Sequence, residues 1–309
     1  MQPFLVRVLG CGSAKPTPRH NASSQIVELR NKIFMIDCGE GTQTYLHKAR
    51  FRLGKLGHIF ISHLHGDHCF GLIGLISSLG LMGRTAPLHV YAPEALGPML
   101  RAQINLFCEG LDYEVCFHAV DTTQMQVVYE DRSLTVKTIP LQHRIPCCGY
   151  LFTEKAGAPH IRRDMIDFYH IPLSQIYNIK GGADWVTPDG QVVENRRLVT
   201  PPDAVRSYAY CSDTSYMPRL HEMVKGVDLL YHESTYGSEF EHLARAYHHS
   251  TAAQAAMVAR DAGAGQLMLG HFSARYDDET PLLNEARAIF PNTILANEGL
   301  EIPVGVKKI

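Results

Sequence analysis

The hexapeptide HLHGDH places His63, His65, Asp67 and His68 within six residues, directly after the β-branched run HIFIS. Neutral imidazole and carboxylate are the usual ligands of zinc and related divalent ions. Gly66 is expected to permit the tight turn that makes these side chains converge. A loop this short cannot enclose two ions alone, so distant donors are needed. Three strand-like segments end in one: His143 in IPLQHRIP, Asp213 in YCSDTSY and His271 in LMLGHFSARY. Singly these are weak signals, because a lone histidine after a strand is more often structural and an aspartate before threonine usually caps a turn. Together with the loop they make five histidines and two aspartates, enough for two ions and a bridging carboxylate. The expected chemistry is that of a dinuclear hydrolase.

These donors need elements to hold them. FLVRVLG, SSQIVEL, KIFMIDCG and HIFISH read as consecutive strands, and GLIGLISSLGLMG as a helix. LHVYAP reads as a strand, followed by a helix from Pro93, where proline suits a first turn. LTVKTIPLQH, RSYAYCSDT, VDLLYHEST and GQLMLGHFS are further strands, most of them ending in a potential ligand. In HHSTAAQAAMVARDAGA, Thr251 and Gln254 fit a capping box and Gly263 a helix stop. Strands first, then repeated strand–helix alternation, predicts sheet layers covered by outer helices. Residues 153–193 break this plan. They hold the single Trp, the pair Arg162–Arg163 and a Pro/Gly-rich half, and they read as an insertion with its own small structure or as an elaborated surface loop.

Length and composition narrow the class. A chain of 309 residues, 45% hydrophobic and 19% charged, can bury a large core. The first residues read as an opening strand, not an export signal, and no run is long enough to span a membrane. Eight cysteines without metal-knuckle spacing are expected to be reduced thiols in a cytoplasm. A net charge of −2 gives no bulk support for nucleic-acid binding, so any such surface must be local. Histidine, at 17 copies, is the compositional outlier.

The motifs SHLHGDHCFGL, SDT, HEST, HHSTAAQAA and GHFSARY, in this order and spacing, resemble the metallo-β-lactamase superfamily and, within it, the ribonuclease Z family of tRNA 3′-processing endonucleases. The resemblance runs from GCGSAKPTPRHNASS to FPNTILANEGLEI. It implies an α/β, four-layer αββα sandwich formed by residues 1–309 as a single domain, with 153–193 as an inserted flexible arm, an exosite that grips the tRNA body across a homodimer. It implies two Zn²⁺ per subunit, with Mn²⁺ or another divalent ion as alternatives. His63, His65 and His143 would hold one ion, Asp67, His68 and His271 the other, and Asp213 would bridge them. Asp67 would also accept the proton of the attacking water, and Glu233 with His249 would protonate the leaving oxygen. Arg275 could clamp the substrate phosphate. Asn21 matches a substrate-side loop of the family that usually reads Pro-x-Lys/Arg-x-Arg-Asn. Pro18 and His20 occupy its usual basic positions here, with Arg19 between them. In the arm, Arg162 and Arg163, with Lys155 and Lys180, are the expected phosphate contacts, and the family's Gly-Pro step reads Ser174–Gln175.

The implied activity is removal of the 3′ trailer from precursor tRNA by a cytoplasmic enzyme. Two other readings share features of this sequence. A hydrolase of a small phosphodiester, sulfate ester or lactone would use the same seven ligands, but it has no need of the arm or of the Glu233–His249 pair. A nucleic-acid-binding subunit with a dead centre would not need its ligands and acid.

Overall fold

The computed structural model describes residues 3–305. Met1–Gln2 and 306–309, the ends of the expected single domain, lie outside the described residues. The chain divides into two compact units, the larger made of residues up to 131, 135–153 and 206 onward, the smaller of 132–134 and 154–205.

The larger unit contains two seven-stranded mixed sheets. In the first, Glu301–Pro303, Phe4–Gly10, Ser24–Leu29 and Lys32–Ile36 run antiparallel to their neighbours, and Leu56–Phe60, Leu88–Pro93 and Val115–Val120 continue in parallel. In the second, Thr293–Leu295, Gln266–Gly270, Leu229–Glu233 and Ser207–Cys211 are parallel, and Cys148–Glu154, Leu134–Pro140 and Val127–Glu130 complete the order.

The inner faces meet through aromatic side chains. Phe34 packs edge-on against Phe152 at 5.8 Å between centroids, and Phe60 lies 5.1 Å from Tyr150. Buried tyrosines need partners for their hydroxyls. Tyr150 donates to the Ile61 carbonyl and Tyr210 to Asp37, both from the second sheet to the first, at 2.8 Å each.

Helices cover the outer faces. Leu72, Leu75, Ile76 and Leu79 of the helix Leu72–Leu81, at helical spacing, join Leu96 and Leu100 of Leu96–Phe107 in a core with Ile26, Met35, Ile59 and Val90. On the other side Ala252–Ala262 packs on the strands Leu229–Glu233 and Gln266–Gly270. Its capping box is formed: the Gln254 N–H donates to Thr251 Oγ1 at 3.2 Å, the Thr251 N–H donates to Gln254 Oε1 at 3.0 Å, and Gly263 ends the helix at φ 63°. The αββα order expected from the sequence is therefore present. Pro93 does not begin a helix; it is the last residue of Leu88–Pro93, where its missing N–H costs the ladder least, and the helix starts at Leu96.

The smaller unit has a core of its own. Ile171, Ile179, Val193 and Leu198 are buried, with Ile161, Met165, Tyr169 and Trp185 packed against them. The strand His160–Ile161 pairs with Val199–Thr200, which carries the unit past Val193 to Val205. Sequence periodicity could not set that limit, because the closing strand is two residues long. Arg162 is held by Asp164 at 2.6 Å, whereas Arg163 is exposed. Ser174–Gln175 falls in a short helical turn, Leu173–Gln175, before the helix Ile176–Lys180.

Candidate metal centre

Asp37, the 63–68 loop, His143, Asp213, Glu233 and His271 all lie at or just beyond the carboxyl ends of strands. The 63–68 loop rests on the turn after Lys32–Ile36. Cys38 donates to the His68 carbonyl at 2.8 Å, and Gly71 donates to the Cys38 carbonyl at 2.9 Å. A Cβ on Gly39 would stand 2.4 Å from the Asp67 carbonyl oxygen, and one on Gly71 would stand 2.1 Å from that of Gly39, so both contacts need glycine. Gly66 has a different role from the one expected. Its backbone is not left-handed, and it opens the short helix Gly66–Cys69; a Cβ there would meet the Phe70 ring.

All seven expected ligands converge. His65 Nδ1 lies 3.0 Å from His63 Nε2 and 3.2 Å from His143 Nε2, and Asp213 Oδ2 lies 3.5 Å and 3.7 Å from the same two Nε2 atoms. On the other side, His68 Nε2 and His271 Nε2 are 3.4 Å apart, and Asp67 Oδ2 lies 3.5 and 3.6 Å from them. Asp213 Oδ1 faces this second set at 3.2 and 3.1 Å. Tetrahedral coordination at zinc–nitrogen bonds near 2.0–2.1 Å puts ligand atoms about 3.3 Å apart. The two sets have that spacing, and one oxygen of Asp213 points into each.

Outer hydrogen bonds turn the lone pairs inward. His68 Nδ1 donates to Asp37 at 2.7 Å, His143 Nδ1 to the His248 carbonyl at 3.0 Å, and His271 Nδ1 to Thr235 Oγ1 at 2.9 Å. Each donation leaves Nε2 unprotonated and aimed at the cluster. Asp213 and His271 sit at φ 59°, a left-handed backbone that costs energy outside glycine and is tolerated where the surroundings dictate it. Asp37 was not singled out by sequence reasoning. Its carboxylate takes the Ser62 N–H and hydroxyl, His68 and Tyr210, all within 2.9 Å. Its only sequence signal is an acidic residue ending the strand KIFMIDCG.

The electrostatics call for cations. Burial holds His63 well below the usual imidazole value and lowers His143 and His65, so all three are neutral at neutral pH, as ligands must be. Burial also disfavours charge on His68, but Asp213, Asp67 and Asp37 outweigh it and push this imidazole well up. Three carboxylates around one buried ring attract positive charge, which divalent ions at the Nε2 side would supply. The donor types, spacing, tautomers and charge all fit divalent ions.

Beside this cluster, Glu233 is fully buried yet charged: burial works against it, and His249 outweighs burial to hold it below the usual carboxylate range. Its oxygens take the Thr214 N–H at 2.7 Å, the Thr235 hydroxyl at 2.6 Å, the Ser250 N–H at 3.1 Å and His249 Nδ1 at 2.9 Å. The His249 ring stands 5.2 Å from that of His143 and 5.4 Å from that of His271. Burial opposes charge on His249, but Glu233, then Asp213 and Asp67, raise it to about 9.

The substrate-side residues divide. Arg275 is exposed, and its guanidinium lies beside the Tyr236 phenol, whose ring is 6.2 Å from His249. Asn21 is buried, its side-chain N–H donating to the Leu9 carbonyl at 2.8 Å. That bond holds the loop in place. Arg19 pairs with Glu279 at 2.6 Å.

Among known proteins, the ribonuclease Z of Bacteroides fragilis strain YCH46 is 59% identical over 300 residues, spanning 97% of this chain and 99% of that one. The chain belongs to the ribonuclease Z family. A second ribonuclease Z, from Porphyromonas gingivalis strain W83, is 50% identical across 98% of this chain and 99% of its own. The crystal structure of human tRNase Z, short form, superposes with a TM-score of 0.70 at 25% identity, covering 98% of this chain and 100% of that one. YhfI of Bacillus subtilis, a metallo-β-lactamase fold protein, matches at TM-score 0.68 and 18% identity over 97% of this chain and 99% of its own, a likeness of fold alone. A family model described as anti-Pycsar protein Apyc1 matches residues 4–157. That stretch holds the 63–68 loop and His143 and ends before Asp213, Glu233, His249 and His271.

Proposed function

We infer that this chain is the endoribonuclease that removes the 3′ trailer from precursor tRNA, leaving a 3′-hydroxyl on the tRNA and a 5′-phosphate on the trailer. The observation that carries this reading is a buried Glu233 carboxylate holding a charged imidazole, His249, against a seven-residue His/Asp cluster. A leaving alkoxide of RNA needs such an acid.

His63, His65 and His143 with Asp213 Oδ2 would hold one ion, and Asp67, His68 and His271 with Asp213 Oδ1 the second. Zn²⁺ suits this donor set, and Mn²⁺ and other divalent ions share it. Ions bound there supply Lewis-acid charge and acidify water near neutrality. Asp67, whose Oδ2 accepts the Ala14 N–H at 2.7 Å, would accept the proton of the attacking water. His249 Nδ1 is committed to Glu233, so Nε2 carries the proton destined for the leaving 3′-oxygen. Arg275, exposed beside Tyr236, would meet the phosphate from the solvent side.

Residues 154–205 would serve as the tRNA-gripping arm, with Arg162, Arg163 and the exposed rings of Phe168 and Tyr177 meeting RNA. A homodimer is supported by Phe70, Leu81, Met82, Met99, Leu106 and Phe107, large apolar side chains exposed on or beside two neighbouring helices. Eight free cysteines suit a reducing cytoplasm, and among the described residues no helix is long and apolar enough to cross a membrane.

The direct test maps cleavage of labelled precursor tRNAs, with and without encoded CCA, in the presence of Zn²⁺ or Mn²⁺. A single cut at the start of the trailer is expected. Hydrolysis of small phosphodiesters with intact precursors left uncut would favour the small-substrate hydrolase.

His249→Ala is expected to slow cleavage about 10²–10⁴-fold, the ordinary contribution of a general acid, with metal content unchanged. Loss of metal would show instead that His249 is a ligand, a role its proximity to Asp213 and His271 allows. The pH profile carries the sign. A raised pKa keeps His249 protonated through neutrality, so rate falls as pH rises through that value, with bound cations pulling the limb downward from about 9. Glu233→Gln is expected to move this alkaline limb to lower pH.

A further inference from the structure

A second knot of ligand-type side chains takes no part in the chemistry above. Cys11 follows the strand Phe4–Gly10, His20 closes the loop 13–21, and Glu298 lies in the segment before Glu301–Pro303. Cys11 Sγ is 3.3 Å from His20 Nδ1 and 3.6 Å from Glu298 Oε1, and His20 Nδ1 is 3.1 Å from Glu298 Oε2. A zinc ion with one sulfur ligand and nitrogen or oxygen at the others sets ligand atoms about 3.3–3.6 Å apart. Three donors of three chemical kinds, from three separate segments, lie 3.1–3.6 Å apart, close to that spacing.

Their surroundings are those of a ligand set. His20 Nε2 stands 3.2 Å from Glu279 Oε1, a buried carboxylate that would accept a hydrogen bond from Nε2–H and leave the Nδ1 lone pair facing Cys11 and Glu298. The other oxygen of Glu279 is neutralised by Arg19 at 2.6 Å. Glu298 Oε1 is oriented by the Asn21 N–H at 2.8 Å. The charges close: a divalent cation balances one thiolate and one carboxylate, and Arg19 balances Glu279. A thiol is a feeble hydrogen-bond donor, so the contacts of the fully buried Cys11 with His20 and Glu298 are weak, and a metal would give it a strong partner. The Glu298 side chain is one-fifth exposed, which leaves a path for the ion and for a water at the fourth position.

We propose that Cys11, His20 and Glu298 bind a divalent ion, zinc by preference, at a site separate from the His/Asp centre, with Glu279 orienting His20. The ion ties the loop 13–21 to Phe4–Gly10 and Glu301–Pro303, paired strands at one edge of the first sheet. Ala14, which holds Asp67, lies on that loop, so the site is a structural pin beside the catalytic centre. The competing arrangement is a proton on His20 shared between Glu279 and Glu298.

The full-length protein loaded with Co²⁺ distinguishes them. None of the seven His/Asp ligands is a sulfur, so a thiolate-to-cobalt charge-transfer band in the near ultraviolet reports Cys11. We expect this band in the wild type and its absence in Cys11→Ser. Zinc-loaded Cys11→Ser and Glu298→Gln are each expected to hold one equivalent less than wild type by mass spectrometry, while visible cobalt absorption from the His/Asp centre persists. Wild-type protein without the band, or Cys11→Ser with the band or with an undiminished metal count, would overturn the proposal in favour of the proton.

Discussion

Asp67→Ala is expected to lower cleavage of precursor tRNA roughly 10³-fold or more, because one side chain serves two ends. Its Oδ2 faces the Nε2 atoms of His68 and His271 at 3.5 and 3.6 Å, so the second ion loses its only carboxylate apart from Asp213. The same carboxylate is proposed to take the proton of the attacking water. Metal analysis alongside single-turnover rates separates these effects: a variant that regains both ions at high metal concentration and stays slow has lost the proton acceptor. Turnover like the wild type's at ordinary metal concentration would sink the two-ion mechanism.

Deleting the smaller unit is expected to divide the activities. Residues 154–205 are inserted between Cys148–Glu154 and Ser207–Cys211, antiparallel neighbours in which Thr153 pairs with Ser207. Their ends lie side by side, so a short turn can replace residues 156–203 without disturbing the sheet. The deletion should cut kcat/KM for precursor tRNA at least about 100-fold, equivalent to ~2.7 kcal/mol of lost binding. Hydrolysis of bis(p-nitrophenyl) phosphate, too small to reach an exosite, should change little. Equal losses on both substrates would count against an RNA-gripping arm, and so would a tRNA rate that does not weaken with added salt.

The fold was legible where its signals were local. Alternating β-branched runs marked the strands, and the capping box at Thr251 with Gly263 marked a helix from beginning to end. Pro93 misled because proline suits a helix start and a strand end equally, and only the pairing with Val120 settles which applies. The limit of the inserted unit at Val205 was hidden for a similar reason, since a two-residue strand has no period to read.

The site shows the same division. Residue types within one loop determined that His63, His65, Asp67 and His68 would act together, strand ends offered His143, Asp213 and His271, and the family resemblance implied how the seven divide between two ions. Only the tertiary structure decided that Asp213 turns one oxygen to each set of ligands and that Asp37 and Thr235 fix imidazole tautomers. It alone also brought Cys11, His20 and Glu298 within reach of one another. Ligand chemistry is a property of single side chains and survives in a linear string. Distances between atoms 287 positions apart in the chain, as between Cys11 and Glu298, are set by which strands pair in the folded sheet, and no local pattern encodes them.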